Sequence, residues 1–190
     1  MRKFMLAAAL AATAAIIPSA ASAAPALLTV DLDRIRTECT ACRSATAAIQ
    51  AQIKQGQDRA QALDSQLKPE LQAIEAAGRA LNGKEPDAAL KKRATDFQAR
   101  QQAAQAELAN KQRAIESTQT NVQQQIANRV VLISEQVRVR RQAEAIIGKN
   151  AALASNPAND VTAEVLAALN QQLPSVSVTP LPQQQRPAGR

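Results

Sequence analysis

Apolar and small residues recur along this chain with a seven-residue beat, broken once at Asn82-Gly83-Lys84. Before the break, Cys39, Thr46, Ile53, Ala60, Leu67, Ile74 and Leu81 fall seven apart, with Ile35, Cys42, Ile49, Gly56 and Leu63 as a companion row. After it, Ala94, Gln101, Leu108, Ile115 and Val122 keep the spacing, and Ile126, Val130, Ile133 and Val137 continue at steps of three and four. Steps of three and four put these side chains on one stripe of a helix, and a stripe this narrow needs a second helix to cover it. Asn82-Gly83 is a helix stop, because glycine takes the left-handed cap conformation without strain. Pro86-Asp87 is a restart, since proline fits a first helical turn. The pattern predicts two long antiparallel helices, an arm over 41–142 with its turn at 82–86. At about 1.5 Å per residue, roughly 40 residues give an arm on the order of 60 Å long.

Folding the stripes together at the turn brings Leu81 near Leu90, Leu67 near Gln101 to Ala104, and Cys42 near Ile126 to Val130. A polar Gln101 in the seam should weaken its middle. Pro69 removes a backbone donor inside the outward helix, and Gly56 and Gly78 each cost about 1 kcal/mol relative to alanine. These three positions are candidate hinges.

The flanks read differently. Leu27 to Val30 favours strand, and the following Asp31-Leu32-Asp33 suits a helix N-cap. Beyond the arm, Ala143 to Ala154 reads as two short strands around Gly148-Lys149-Asn150. Residues 155–160 are loop-forming, with Asp160 or Thr162 capping a helix from Val161 to Leu169. Residues 24–40 and 143–172 together make a small body at the base of the arm. From 173 to 190, Pro174, Pro180, Pro182 and Pro187 among Gln-rich spacers predict a disordered tail. At the other end, Arg2 and Lys3, an apolar run from Phe4 to Ile17, Pro18 and Ala21-Ser22-Ala23 have the layout of a secretory leader, cleaved after residue 23. Residues 1–23 would then be removed and the remainder exported as a soluble protein.

Composition argues against a compact domain. Only 1% of residues are aromatic, with no Trp and no Tyr. The 46% apolar share is largely alanine, which favours helix but buries little surface. One thin hairpin of this kind is expected to be part of an oligomer. The formal net charge is +7, falling to +5 once Arg2 and Lys3 leave with the acid-free leader. Nucleic acid is a poor partner, for there are no stacking aromatics and no binding motif. Near the turn, Arg79, Lys84, Lys91, Lys92, Arg93 and Arg100 outnumber Glu85, Asp87 and Asp96. This end is a candidate electrostatic contact for anionic partners, against the simpler reading of a solvated helix face. Arg138, Arg140 and Arg141 form a second basic group at the base.

Cys39-Thr40-Ala41-Cys42 is the one stretch able to carry chemistry. Haem attachment would need a histidine, and the chain has none. Zinc would need a second ligand pair. Residues three apart in a regular helix have Cβ atoms about 5–6 Å apart, against the roughly 3.5–4.5 Å of a disulfide. A Cys39–Cys42 bridge is feasible if Cys39 sits just outside a helix starting at Thr40 or Ala41. Two reduced cysteines filling the seam, and a redox-active pair, are the alternatives.

The order of parts resembles the Skp/OmpH family of periplasmic chaperones: leader, strand with Val30-Asp31, long helical hairpin, strand pair, then Asp160-Val161-Thr162-Ala163-Glu164-Val165-Leu166. The final segment is similar to that family's closing helix, and Cys-Thr-Ala-Cys stands where the family often has a Ser-Pro-Ala-Gly-type break. The resemblance implies a mainly α fold with a small β body, in which the strands of three chains form a barrel-like body carrying three arms. It implies an ATP-independent holdase that keeps unfolded outer-membrane proteins in a cavity between the arms, without enzyme activity, nucleotide, metal or other cofactor. It also raises contact with anionic lipid or lipopolysaccharide. The competing reading from another class is a structural coiled-coil spacer or envelope-complex subunit.

Overall fold

The computed structural model describes residues 27–182. The expected leader, 1–23, and the last part of the expected disordered tail, 183–190, lie outside the described residues. The chain begins as a short strand, β1 (Leu27–Val30), and turns into helix α1 (Leu32–Glu38). Asp31 caps α1, its carboxylate accepting from the Arg34 N–H at 2.9 Å. Cys39 interrupts the helix with an extended backbone, and α2 runs without a break from Thr40 to Ala80.

The turn at the far end is built from two left-handed residues, Asn82 (φ 46°) and Gly83 (φ 85°). Asn82 tolerates this conformation better than most side-chain-bearing residues, and glycine adopts it freely. The second long helix, α3, spans Ala88–Arg140 and is capped by Asp87, which accepts from the Leu90 N–H at 2.8 Å. Pro86 therefore precedes the cap instead of standing in the first helical turn.

The two helices pack in the register expected from the stripes. Gly56 lies opposite Ile115, and Arg59 reaches Glu107 across the arm. The middle of the return stripe differs. Ala94 and Gln101 face solvent, and Phe97 and Ala104 are buried in their place. Phe97 is the only aromatic residue between Met5 and the end of the chain, and burying it gains far more than burying Ala94. The stripe passes to Ile115 and Val122 nearer the base. Gln101 therefore does not weaken the seam.

Burial deepens toward the base. Ile35, Cys39, Ala41, Ile133, Val137, Val165 and Leu169 are almost fully enclosed and form one core with Leu28 and Val30. The second strand, β2 (Ala145–Gly148), pairs in parallel with β1, Leu27 opposite Ala145 and Val30 opposite Gly148. Helix α4 (Thr162–Gln172) closes the core.

The strand pair expected within 143–154 does not form. After Gly148 the chain enters a 3₁₀ turn, Lys149–Ala151, and Leu153 points fully into solvent. Ala151, Ala152 and Ala154 offer little to pack, and a strand is stabilised by what it packs against. β1 instead uses its free edge for a parallel bridge between Thr29 and Asp160, with the Val161 N–H donating to the Thr29 carbonyl at 2.9 Å.

Residues 173–182 also depart from the disordered tail expected there. They run back up the hairpin from the end of α4, with Leu173 and Val176 packed on the core. Side-chain amides of α2 and α3 hold the segment beyond Val176, as described below. Proline and glutamine content predicted no core of its own, but an extended segment needs none where a groove is already built.

Candidate functional site

At the base of the arm, the Cys39 and Cys42 sulfurs are joined at 1.97 Å, with the Cα atoms 5.1 Å apart. Cys39 stands outside α2 as its N-cap, with ψ 138°, and its sulfur accepts from the Cys42 N–H at 2.9 Å. Both residues are buried in the core beneath the arm. The bridge closes across the α1–α2 break, and Cys42 also lines the upper part of the cleft described below.

Pro69 lies inside α2, with Gly56 and Gly78 on either side in the same helix. A methyl group at Gly56 would meet only Ile115 Cδ1 at 4.0 Å, and at Gly78 nothing within 4 Å. Neither glycine is required by close packing.

At the far end, five of the six candidate cations are engaged within the arm. Arg100 and Arg93 both approach Glu70, at 2.5 and 3.7 Å. Arg79 faces Glu75, Lys91 faces Glu85 and Lys92 faces Asp96. Lys84 has no ion pair among the described residues. The Arg100 hydrogen bond to Glu70 holds that carboxyl below the ordinary glutamate range, the Arg93 charge adding to it. The excess of positive charge read from the turn region is thus largely answered by Glu70 and Glu75, which stand a few turns away in sequence. At the base, Arg138 pairs with Glu135, while Arg140 and Arg141 both hold Glu164 of α4 at 2.9 Å.

The two long edges of the hairpin are unlike. With about 100° between successive residues of a helix, Thr46, Ile53 and Gln123 project on one side of the seam, and Gln52, Asn121 and Gln125 on the other. The first side carries an open apolar cleft. Its lower part, about 510 Å³, is lined by Leu32, Ile35, Ile126, Ala127, Val130 and Val131. Its upper part, about 460 Å³, continues along Ile49, Ile53, Val122 and Ile126. Val131 is 66% exposed and Leu27, at the start of β1, 52%. The second side is covered by residues 177–181. Neither feature was read from the sequence. Leu32 and Val131 lie far apart in the chain and in neither stripe, while Ile35, Ile126 and Val130, which share the cleft, looked like seam. The signal for the second side was the spacing of Ser117, Asn121 and Gln125 at intervals of four.

Among the described residues there is no cluster of three or more His, Cys, Asp or Glu side chains able to hold a metal ion. No helix among them is long and apolar enough to cross a membrane.

These features define a long helical arm on a small mixed body. The sequence profile of the OmpH-like outer membrane proteins matches residues 27–169. The chain belongs to the OmpH-like family, whose members are non-enzymatic chaperones. In fold it is similar to a crystal structure from Caulobacter crescentus CB15, proposed to be an OmpH-like outer membrane chaperone, with TM-score 0.71 and 20% identity. That match covers 85% of this chain and 94% of the other. No curated protein matches the sequence.

Proposed function

We propose that this protein is an ATP-independent holdase of the periplasm, which binds unfolded outer-membrane proteins between its arms and keeps them from aggregating. Membership of the OmpH-like family supports the chaperone class, and the leader-like residues 1–23 support export. The observation that carries the holding mode is the upper part of the open apolar cleft along one side of the hairpin, about 460 Å³. Many small aliphatic contacts give weak, exchangeable binding that does not depend on the order of residues in a client. Glutamine and charged residues on the remaining helix faces keep the arm in water.

The assembly in this reading is a homotrimer joined at the base. β2 has one neighbouring strand among the described residues, which leaves its outer edge for another chain. The lower cleft, lined by Leu32 and exposed Val131, would be closed by a second copy. The upper cleft would face the enclosed space. Bending at Pro69, with Gly56 and Gly78 loosening the helix on either side, would let that space follow clients of different size.

The test is aggregation of a urea-unfolded outer-membrane β-barrel protein on dilution, followed by light scattering. Stoichiometric trimer should suppress the scattering without nucleotide. Unchanged aggregation would overturn the holdase reading in favour of a structural envelope coiled coil.

A further inference from the structure

The side of the hairpin opposite the cleft is built to read polypeptide backbone. The Gln125 amide pairs with both backbone groups of Ser177. Its nitrogen donates to the Ser177 carbonyl at 3.0 Å and its oxygen accepts from the Ser177 N–H at 2.9 Å. One helical turn toward the arm end, Asn121 donates to the Thr179 carbonyl at 2.9 Å. A further turn on, Ser117 accepts from the Leu181 N–H at 2.9 Å. From the facing helix, Gln52 donates to the Val178 carbonyl at 3.0 Å.

The spacing has a geometric basis. Four residues of α-helix rise about 6.0 Å. Two residues of an extended, polyproline-like chain advance about 6.2 Å. A ladder at intervals of four on α3 therefore stays in step with every second residue of an extended chain lying beside it. All the hydrogen bonds these four side chains make to the segment go to main-chain N–H and C=O groups, which every polypeptide presents. None of its four side chains carries a charge. Pro180 and Pro182 stiffen the segment in the extended form, which reduces the entropy lost on docking.

We propose that Gln52, Ser117, Asn121 and Gln125 form a binding groove for extended polypeptide, which the chain's own residues 177–182 occupy as a resident ligand. The occupant in trans is an extended, weakly charged segment of an unfolded client, an identification that rests on the holdase reading above. The tethered segment competes at an effective concentration in the millimolar range. Only a client bound elsewhere on the same arm, and so also held at high local concentration, would displace it. The tail thus sets a threshold against short peptides and admits long unfolded chains.

The experiment uses a labelled peptide of residues 174–182 and fluorescence anisotropy. A protein ending at Val176 keeps Leu173 and Val176 on the core and should bind the peptide at least tenfold more tightly than the full chain does. Replacing Asn121→Asp and Gln125→Glu in the shortened protein keeps size and acceptors but removes both donors. It should abolish that binding, with circular dichroism unchanged. In the full chain the same two changes should strip hydrogen-exchange protection from the Ser177 and Leu181 amides. Equal binding by long and short proteins would overturn the groove, as would binding that survives the double substitution or amides that stay protected. Failure of the shortened protein to bind the peptide, beside intact aggregation suppression, would sink the groove alone. Peptide binding with no suppression would leave the groove and sink the holdase.

Discussion

Asp160 joins three parts of the body. Its carboxylate accepts from the Thr162 N–H at 2.9 Å, pairs with Lys149 at 2.9 Å, and accepts a hydrogen bond from the Thr162 hydroxyl. The Thr162 hydroxyl oxygen in turn accepts from the Asp31 N–H at 2.8 Å, tying β1 to the start of α4. The hydroxyl and amide of Thr162, then Lys149, hold the Asp160 carboxyl down to about 2. A folded-state value below the unfolded one stabilises the fold above about pH 4, and this stability is lost as pH falls toward 2. The shift corresponds to roughly 2 kcal/mol. Asp160→Asn should therefore lower stability by about 1–2 kcal/mol at pH 7 and by almost nothing near pH 2. Urea unfolding at both pH values and fixed protein concentration measures the closing gap. At the same scale, the enclosed Cys39–Cys42 pair should resist alkylation in unreduced protein from its native compartment. Mass spectrometry showing labelled thiols would count against a structural bridge.

At the scale of elements, α2 carries more helix-weakening residues than its packing requires. Gly56→Ala places a methyl group 4.0 Å from Ile115 Cδ1, ordinary contact distance, and removes backbone freedom from the unfolded chain. It should stabilise the arm by about 0.5–1 kcal/mol, measured by thermal unfolding. If the glycines serve bending, Gly56→Ala together with Gly78→Ala should also narrow the size range of clients protected from aggregation. The hairpin itself was legible because heptad spacing, the Asn-Gly stop and the Pro86-Asp87 restart all act locally, although Asp87 and not Pro86 opens the helix. The exchange of Gln101 for Phe97 in the seam was less legible, since both rows satisfy a helical stripe and only cross-arm packing selects between them. Nor could local pattern show that Asp160, and not a second strand after Gly148, takes the free edge of β1. The ordered tail was hidden for a related reason: its partners lie more than fifty residues away, on helices whose glutamines looked like solvated surface.

For the whole molecule, the decisive asymmetry is between the two sides of the hairpin. One is covered by the chain's own tail through hydrogen bonds, and the other leaves aliphatic surface open where the arm meets the body. Exposed aliphatic surface in a protein this poor in large side chains is costly unless something covers it. In the trimer proposed above, a second copy covers the lower cleft, and β2, with one neighbouring strand among the described residues, leaves an edge for it. Val131 stands 66% exposed on that cleft, away from the core that holds Val130 and Ile133. A charge there would leave the folded chain almost untouched and would be buried unpaired in an assembled base, at a cost of several kcal/mol. Val131→Asp should therefore convert a trimer to monomer, read as a threefold fall in mass by light scattering, with helix content by circular dichroism preserved. It should also reduce aggregation suppression, since a lone arm encloses nothing. A trimer that survives the substitution would move the assembly surface away from this cleft and leave its lower part, like its upper part, to the client.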